Sequence, residues 1–143
     1  STCLVGSEMC IRDRYQTLNG FVRKAFEQYT SLYSGILQNN DPVSTWTTKV
    51  QKTKAGGGYH QWHCENGQFL YRDRVLAWMV YLNTVPSQSG GGTDFLHQKL
   101  TLQPEAGTIV LWPASYTHVH RGGFLTGNVD KYIATGWFIR EPT

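Results

Sequence analysis

Four of the five histidines lie in two short clusters, His60/His63 and His118/His120, while His97 stands alone. In an extended strand, residues i and i+2 share a face, so His63 and Glu65 should project together with Cys64 on the opposite side. His118 and His120 should do the same on a later strand. Two imidazoles and one carboxylate converging from different strands make the facial triad that suits Fe(II) and leaves coordination positions open. Open positions matter because an oxygenase must bring both a co-substrate and O2 to the metal. The same donors accept Zn or Mn, so these residues alone also allow a cupin-type metal enzyme. A third reading is a non-enzymatic β-sandwich binding module, in which the histidines would scatter over the surface instead of converging.

Such ligands need a curved sheet to carry them, and the texture from Val43 onward is β. Candidate strands are 43–54, 59–65, 74–83, 93–96, 98–102, 108–112, 116–121 and 131–140. Between them lie turn-forming stretches such as Gly56-Gly57-Gly58, Asn66-Gly67 and the run from Pro86 to Gly92. Upstream, apolar residues from Tyr15 through Leu18, Val22, Phe26 and Tyr29 to Leu37 recur at three-and-four spacing, which predicts one amphipathic helix. Asn39-Asn40-Asp41-Pro42 should stop it. The expected fold is mainly β with a flanking N-terminal helix, a sandwich or jelly roll. Residues 7–14 resemble translated adapter sequence, so 1–12 are expected to be a non-native or disordered tail. Residues 13–143 then form the one domain, truncated at its N-terminus.

Composition narrows the function classes. With 40% hydrophobic residues, five Trp and eight Tyr, 143 residues suffice for one core and not for two. No apolar run approaches the roughly 20 residues that cross a bilayer, so no membrane partner is expected. Three cysteines (Cys3, Cys10, Cys64) form neither a disulfide framework nor a Cys-x-x-Cys pair, which favours a reducing, cytoplasmic compartment. The net charge of +3 is mild and unclustered, so nucleic acid is not an expected partner, whereas a small anion is compatible. Neither Gly-Gly-Gly run carries Gly-Lys-Ser/Thr or opens a helix, so neither is a phosphate loop. Arg72, Asp73 and Arg74 read as a solvated or structural charge cluster. His97 reads as an ordinary strand residue, and Trp62 as a packing residue on the face away from His63.

From Tyr59 to Trp137 the chain resembles the prolyl 4-hydroxylase-like branch of the 2-oxoglutarate/Fe(II)-dependent dioxygenases. The matching pieces are Tyr59 to Glu65, Arg74-Val75-Leu76 leading to Tyr81-Leu82-Asn83, and Gly91-Gly92-Thr93-Asp94-Phe95. Gly107 to Pro113, His120-Arg121-Gly122, Lys131-Tyr132 and Trp137 follow in the family's order. The resemblance implies a double-stranded β-helix. It also implies Fe(II) bound by His63, Glu65 and His120, with 2-oxoglutarate as co-substrate and ascorbate as an accessory reductant. Lys131 would pair with the far carboxylate of 2-oxoglutarate, and Tyr59 would add a hydrogen bond to it. The substrate implied is a C–H bond, a prolyl residue of a peptide or else a small molecule. His120 is preferred over His118 as the distal ligand, because its spacing to Lys131 and its His-x-Gly context fit the family better. Two departures stand out: Glu65 occupies the usual place of Asp, and Tyr59 lies one residue too far from His63.

Overall fold

The computed structural model describes residues 7–38 and 43–141, except the side chains before Arg14 and that of Trp46. The chain divides after Gln38 into a helical unit and a β unit. In the first, α1 spans Ser7–Leu32, so it begins upstream of Tyr15, where the apolar period starts. No Gly or Pro lies between Ser7 and Tyr15 to interrupt the backbone. Residues 1–6 of the expected tail, and the stop at 39–42, lie outside the described residues.

The helix does not reach Leu37 as its periodicity predicts. The hydroxyls of Thr30 and Ser31 donate back to the carbonyls of Glu27 and Gln28, at 3.1 and 2.7 Å. Such local bonds compete with the helical ladder. Tyr33 then leaves helical dihedrals (φ −123°, ψ 62°), and Ser34–Leu37 form a separate 3-10 turn.

The β unit contains β1 (Val43–Thr53), β2 (Arg74–Tyr81), β3 (Thr93–Phe95), β4 (Leu100–Leu102), β5 (Ile109–Pro113), β6 (His120–Gly122) and β7 (Lys131–Arg140). One sheet has the order β1-β7-β2-β5 and the other β4-β3-β6, with every ladder antiparallel. Alternate residues of β2, Ala77, Met79 and Tyr81, point inward with Trp112 of β5, as the period of two requires. They meet Phe95 of the second sheet, and Leu102, Val110, Ile133 and Trp137 pack around them. Burying each such large side chain stabilises by about 1.5–3 kcal/mol, which locks the register that faces these residues inward. This two-sheet roll is the expected double-stranded β-helix. Gly136 lets β7 pass through the middle of its sheet: a Cβ there would lie 2.6 Å from the Trp78 ring and 2.5 Å from the Thr47 carbonyl.

Three expected strands differ. Residues 59–65 are not a strand, and their pairing with β6 is a single isolated bridge, His63 with His120. Tyr59 accepts from the Gly122 N–H, and His63 exchanges both backbone bonds with His120. Four steps of chain on one side therefore span two on the other, and no regular ladder can form across that mismatch. The expected strand 116–121 is a 3-10 turn, Tyr116–His118, followed by the short β6. Residues 96–99 form a turn, with Lys99 at φ 53°, so His97 lies outside any strand.

Candidate metal centre and co-substrate cavity

His63 and Glu65 do converge, but by a turn and not by a shared strand face. After the His63 bridge the chain bends, and the N–H groups of Glu65 and Asn66 both donate to the Ala114 carbonyl just beyond β5. That bend swings the Glu65 carboxylate back toward β6. Its Oε1 lies 2.9 Å from His120 Nε2 and 3.5 Å from His63 Nε2. One donor atom from each of His63, Glu65 and His120 falls within 4.8 Å of the others.

The protons decide what this cluster can hold. His63 Nδ1 faces the Gln61 carbonyl at 2.9 Å, and His120 Nδ1 faces the His118 carbonyl at 2.9 Å. A carbonyl only accepts, so each Nδ1 carries the hydrogen, and in the neutral ring Nε2 is a bare lone pair. Two lone pairs and a carboxylate oxygen thus point at one another. Such a set is satisfied either by extra protons or by a cation. This donor set fits a divalent metal, with backbone carbonyls orienting both rings in the way that outer partners orient metal-bound histidines.

The second carboxylate oxygen is held elsewhere. Trp137 Nε1 donates to Glu65 Oε2 at 2.7 Å, and Arg74 Nη1 lies 3.5 Å from the same atom. Burial opposes the charge on Glu65, but the bonds from His120, His63 and Trp137 outweigh it and hold the carboxyl well below the usual carboxylate range. For His63, burial opposes protonation, while the bond to Glu65 wins and raises the imidazole. Trp112 of β5 and Phe95 of β3 pack on the His120 ring, with centroids 5.0 and 5.6 Å away.

A cavity of about 400 Å³ opens on these groups, and Lys131 lines it as well. Lys131 is the first residue of β7 and is buried. Its Nζ donates to the Gly91 carbonyl at 2.6 Å, and among the described residues no carboxylate pairs with it. Gly91 sits at φ 73° with Leu125 pressing on the place of a Cβ, so glycine is required to present that carbonyl. Burial alone pushes the ammonium down to about 8. Tyr59 lines the same cavity, exposed, with its ring edge-on to His63 at 4.6 Å.

Other residues fall differently from their sequence reading. The His118 imidazole turns to the Thr117 hydroxyl at 3.0 Å and supports the cluster only through its backbone carbonyl. His118→Ala is therefore expected to keep metal affinity within about threefold, whereas His120→Ala loses it, because outer partners alone are worth about 10–100-fold. Isothermal titration with Co(II) separates the two, and the reverse result would move the ligand to His118. Of the two readings of the Arg72–Arg74 cluster, Arg74 takes the structural one: it stacks on the rings of Tyr71 and Trp137 at 3.8 and 3.7 Å. Trp62 is partly exposed and carries the Arg121 guanidinium at 4.3 Å. Thr93 and Tyr81 were not singled out as site residues. Their hydroxyls bond each other at 2.8 Å, and Thr93 lines the cavity. The Gly91-Gly92-Thr93 stretch that leads into β3 was the available signal.

Fold and site together define a class: a double-stranded β-helix with a candidate 2-His-1-carboxylate donor set at its open end. The sequence profile of the 2OG-Fe(II) oxygenase superfamily matches residues 48–139, and the chain belongs to that family. It is thus an Fe(II)- and 2-oxoglutarate-dependent oxygenase, which removes the cupin-type and non-enzymatic readings. No curated protein sequence matches it. Among solved structures it is similar to the viral collagen prolyl hydroxylase of Paramecium bursaria Chlorella virus-1 in its 2-oxoglutarate complex. That likeness has a TM-score of 0.68 at 21% identity and covers 85% of this chain and 72% of that one. The prolyl hydroxylase of Trichoplax adhaerens, in complex with a hypoxia inducible factor oxygen degradation domain peptide fragment, gives a TM-score of 0.61 at 19% identity over 81% and 56% of the chains. A Pseudomonas putida prolyl-4-hydroxylase gives 0.56 at 22% over 67% and 52%. This chain spans about half the length of the latter two. Among the described residues, no helix is long and apolar enough to cross a membrane.

Proposed function

We propose that His63 Nε2, Glu65 Oε1 and His120 Nε2 hold the Fe(II), and that Lys131 receives the far carboxylate of 2-oxoglutarate. One observation carries this reading: a single cavity is lined by metal-type donors and by a buried ammonium that has no carboxylate partner among the described residues. Bound Fe(II) supplies the activation of O2 that couples decarboxylation of 2-oxoglutarate to hydroxylation of a C–H bond. The chain's own residues do the rest. The Gln61 and His118 carbonyls keep both Nε2 lone pairs aimed inward. Met79, Trp112 and Ile133 line the cavity and limit water around the reacting groups. Lys131 offsets the desolvation of an entering dianion, and the dianion offsets that of Lys131. The Tyr59 hydroxyl adds a hydrogen bond to the same carboxylate.

Burial of Lys131 gives this reading a pH dependence. Its ammonium sits at about 8 in the unliganded protein, against about 10.4 when free in solution. Below that value it is charged and ready; above it, binding must also take up a proton. The Kd for 2-oxoglutarate should therefore rise above about pH 8, approaching tenfold per pH unit. In Lys131→Arg the alkaline rise should vanish, because a guanidinium stays charged. A flat alkaline profile in the parent protein would remove Lys131 from the co-substrate.

For the substrate we propose a prolyl residue in a peptide. The three solved structures named above are prolyl hydroxylases, and one of them holds a peptide fragment. The exposed ring of Tyr59 on the cavity wall is the kind of aromatic surface on which proline rings pack. The test is incubation with Fe(II), 2-oxoglutarate, O2 and a proline-rich peptide. The expected result is one oxygen atom gained on proline, with equimolar succinate. Succinate released without peptide oxidation would overturn the prolyl assignment alone.

A further inference from the structure

We propose that Trp137 and Arg74 are positioning residues that confine Glu65 to one-oxygen ligation and so keep a coordination position free for the co-substrate. The inference rests on the metal assignment above and asks what selects Oε1 over Oε2. A carboxylate can grip a metal through one oxygen or both. Gripping through both would occupy a place that the keto acid or O2 needs. Glutamate, a methylene longer than the family's usual aspartate, has more freedom to rotate into that second mode.

The structure holds the outer oxygen on two sides. Trp137 Nε1 donates to Oε2 at 2.7 Å, and Arg74 Nη1 approaches the same atom at 3.5 Å while also donating to the Glu65 main-chain carbonyl at 3.2 Å. The indole is clamped in turn. The Arg74 guanidinium lies 3.7 Å from its ring centroid and Lys49 Nζ lies 4.9 Å from it, while Tyr71 backs Arg74 at 3.8 Å. A cation set against an aromatic face contributes about 0.5–2 kcal/mol and restrains the ring. Neither residue offers the metal a donor atom, so both act through Glu65.

The test measures metal and co-substrate binding separately, in the full chain under anaerobic conditions. Fe(II) affinity comes from calorimetry, and 2-oxoglutarate affinity from the visible Fe(II)–keto acid absorption. Trp137→Phe should raise the 2-oxoglutarate Kd by about tenfold or more, the worth of one hydrogen bond to a charged group. Fe(II) affinity should hold within about threefold, because the released Oε2 itself reaches the metal and offsets the lost outer bond. Adding Glu65→Asp to that variant should return the Kd toward the parent value, because a carboxylate one methylene shorter has less freedom to rotate both oxygens onto the metal. A merely structural role would lower both affinities together, and that outcome overturns the proposal, as does an unchanged Kd. If Trp137→Phe fails to fold, Arg74→Gln decides: a raised Kd at unchanged Fe(II) affinity upholds the proposal, and no rise overturns it. Failure of the parent chain to bind Fe(II) would overturn the metal centre itself, and this inference with it.

Discussion

Glu65→Ala is expected to abolish turnover and to weaken Fe(II) binding by at least about a hundredfold, since loss of an outer partner alone costs about 10–100-fold. Glu65 is the one anion in the cluster, and its Oε1 is the atom shared by both imidazoles. Its removal leaves two neutral nitrogen donors, which cannot offset the charge of a divalent ion. The fold should survive. The loss strands the Trp137 N–H and one face of Arg74, a cost of about 1–3 kcal/mol against a typical total of about 5–15. Glu65→Gln separates the two effects, because an amide oxygen can still accept from Trp137 while the negative charge is gone. Metal titration and thermal melting should thus diverge in Gln and fall together, to different extents, in Ala. Normal 2-oxoglutarate turnover in either variant would remove Glu65 from the site.

The low carboxyl pKa of Glu65 adds a stability effect in the metal-free protein. A carboxylate held below its unfolded value stabilises the native state above about pH 4.3, and that contribution fades as pH falls through the native value. Acid unfolding of metal-free Glu65→Gln should therefore begin at lower pH than that of the parent, once normalised to neutral stability.

Lys131→Met should raise the KM for 2-oxoglutarate about ten- to a hundredfold with Fe(II) affinity unchanged. A hydrogen bond to a charged partner is worth about 1.5–3 kcal/mol, and each 1.4 kcal/mol is tenfold. Lys131 touches Gly91 and the Tyr81 ring but none of the three metal-type donors, which is why the two affinities should separate. The same substitution should not lower the melting temperature of the unliganded protein. It removes a desolvated charge whose one hydrogen-bonding partner among the described residues is a carbonyl, and apolar replacements of buried charges are often neutral or stabilising. An unchanged KM would hand the carboxylate to another cation on the cavity wall. Arg121 is the first to test, although its Nε is already bonded to Asp94 at 3.0 Å.

Much of the roll could be read along the chain. The span of β7, Lys131–Arg140, matches its expected 131–140, and β1 and β2 begin at the predicted Val43 and Arg74. These strands are long and patterned, so local β-propensity and burial agree on them. The residue types of the candidate donor set were legible too, since imidazole and carboxylate side chains recur at metal-ligand spacing in two separate clusters. How those residues meet was not. A period of two placed His63 with Glu65, and His118 with His120, on shared strand faces, yet neither pair lies on a regular strand. His63 and Glu65 converge because the chain bulges against β6 and then turns on the Ala114 carbonyl. His118 drops out because its 3-10 turn sends the imidazole to Thr117. For Arg74 the sequence left a solvated and a structural role open, because a one-dimensional pattern cannot show that Tyr71 and Trp137 close over its guanidinium. By itself the sequence determined which chemical groups are available and which long strands carry them. Tertiary structure alone decided which lone pairs point at one another, because short irregular segments take their conformation from partners distant in the chain and not from their own periodicity.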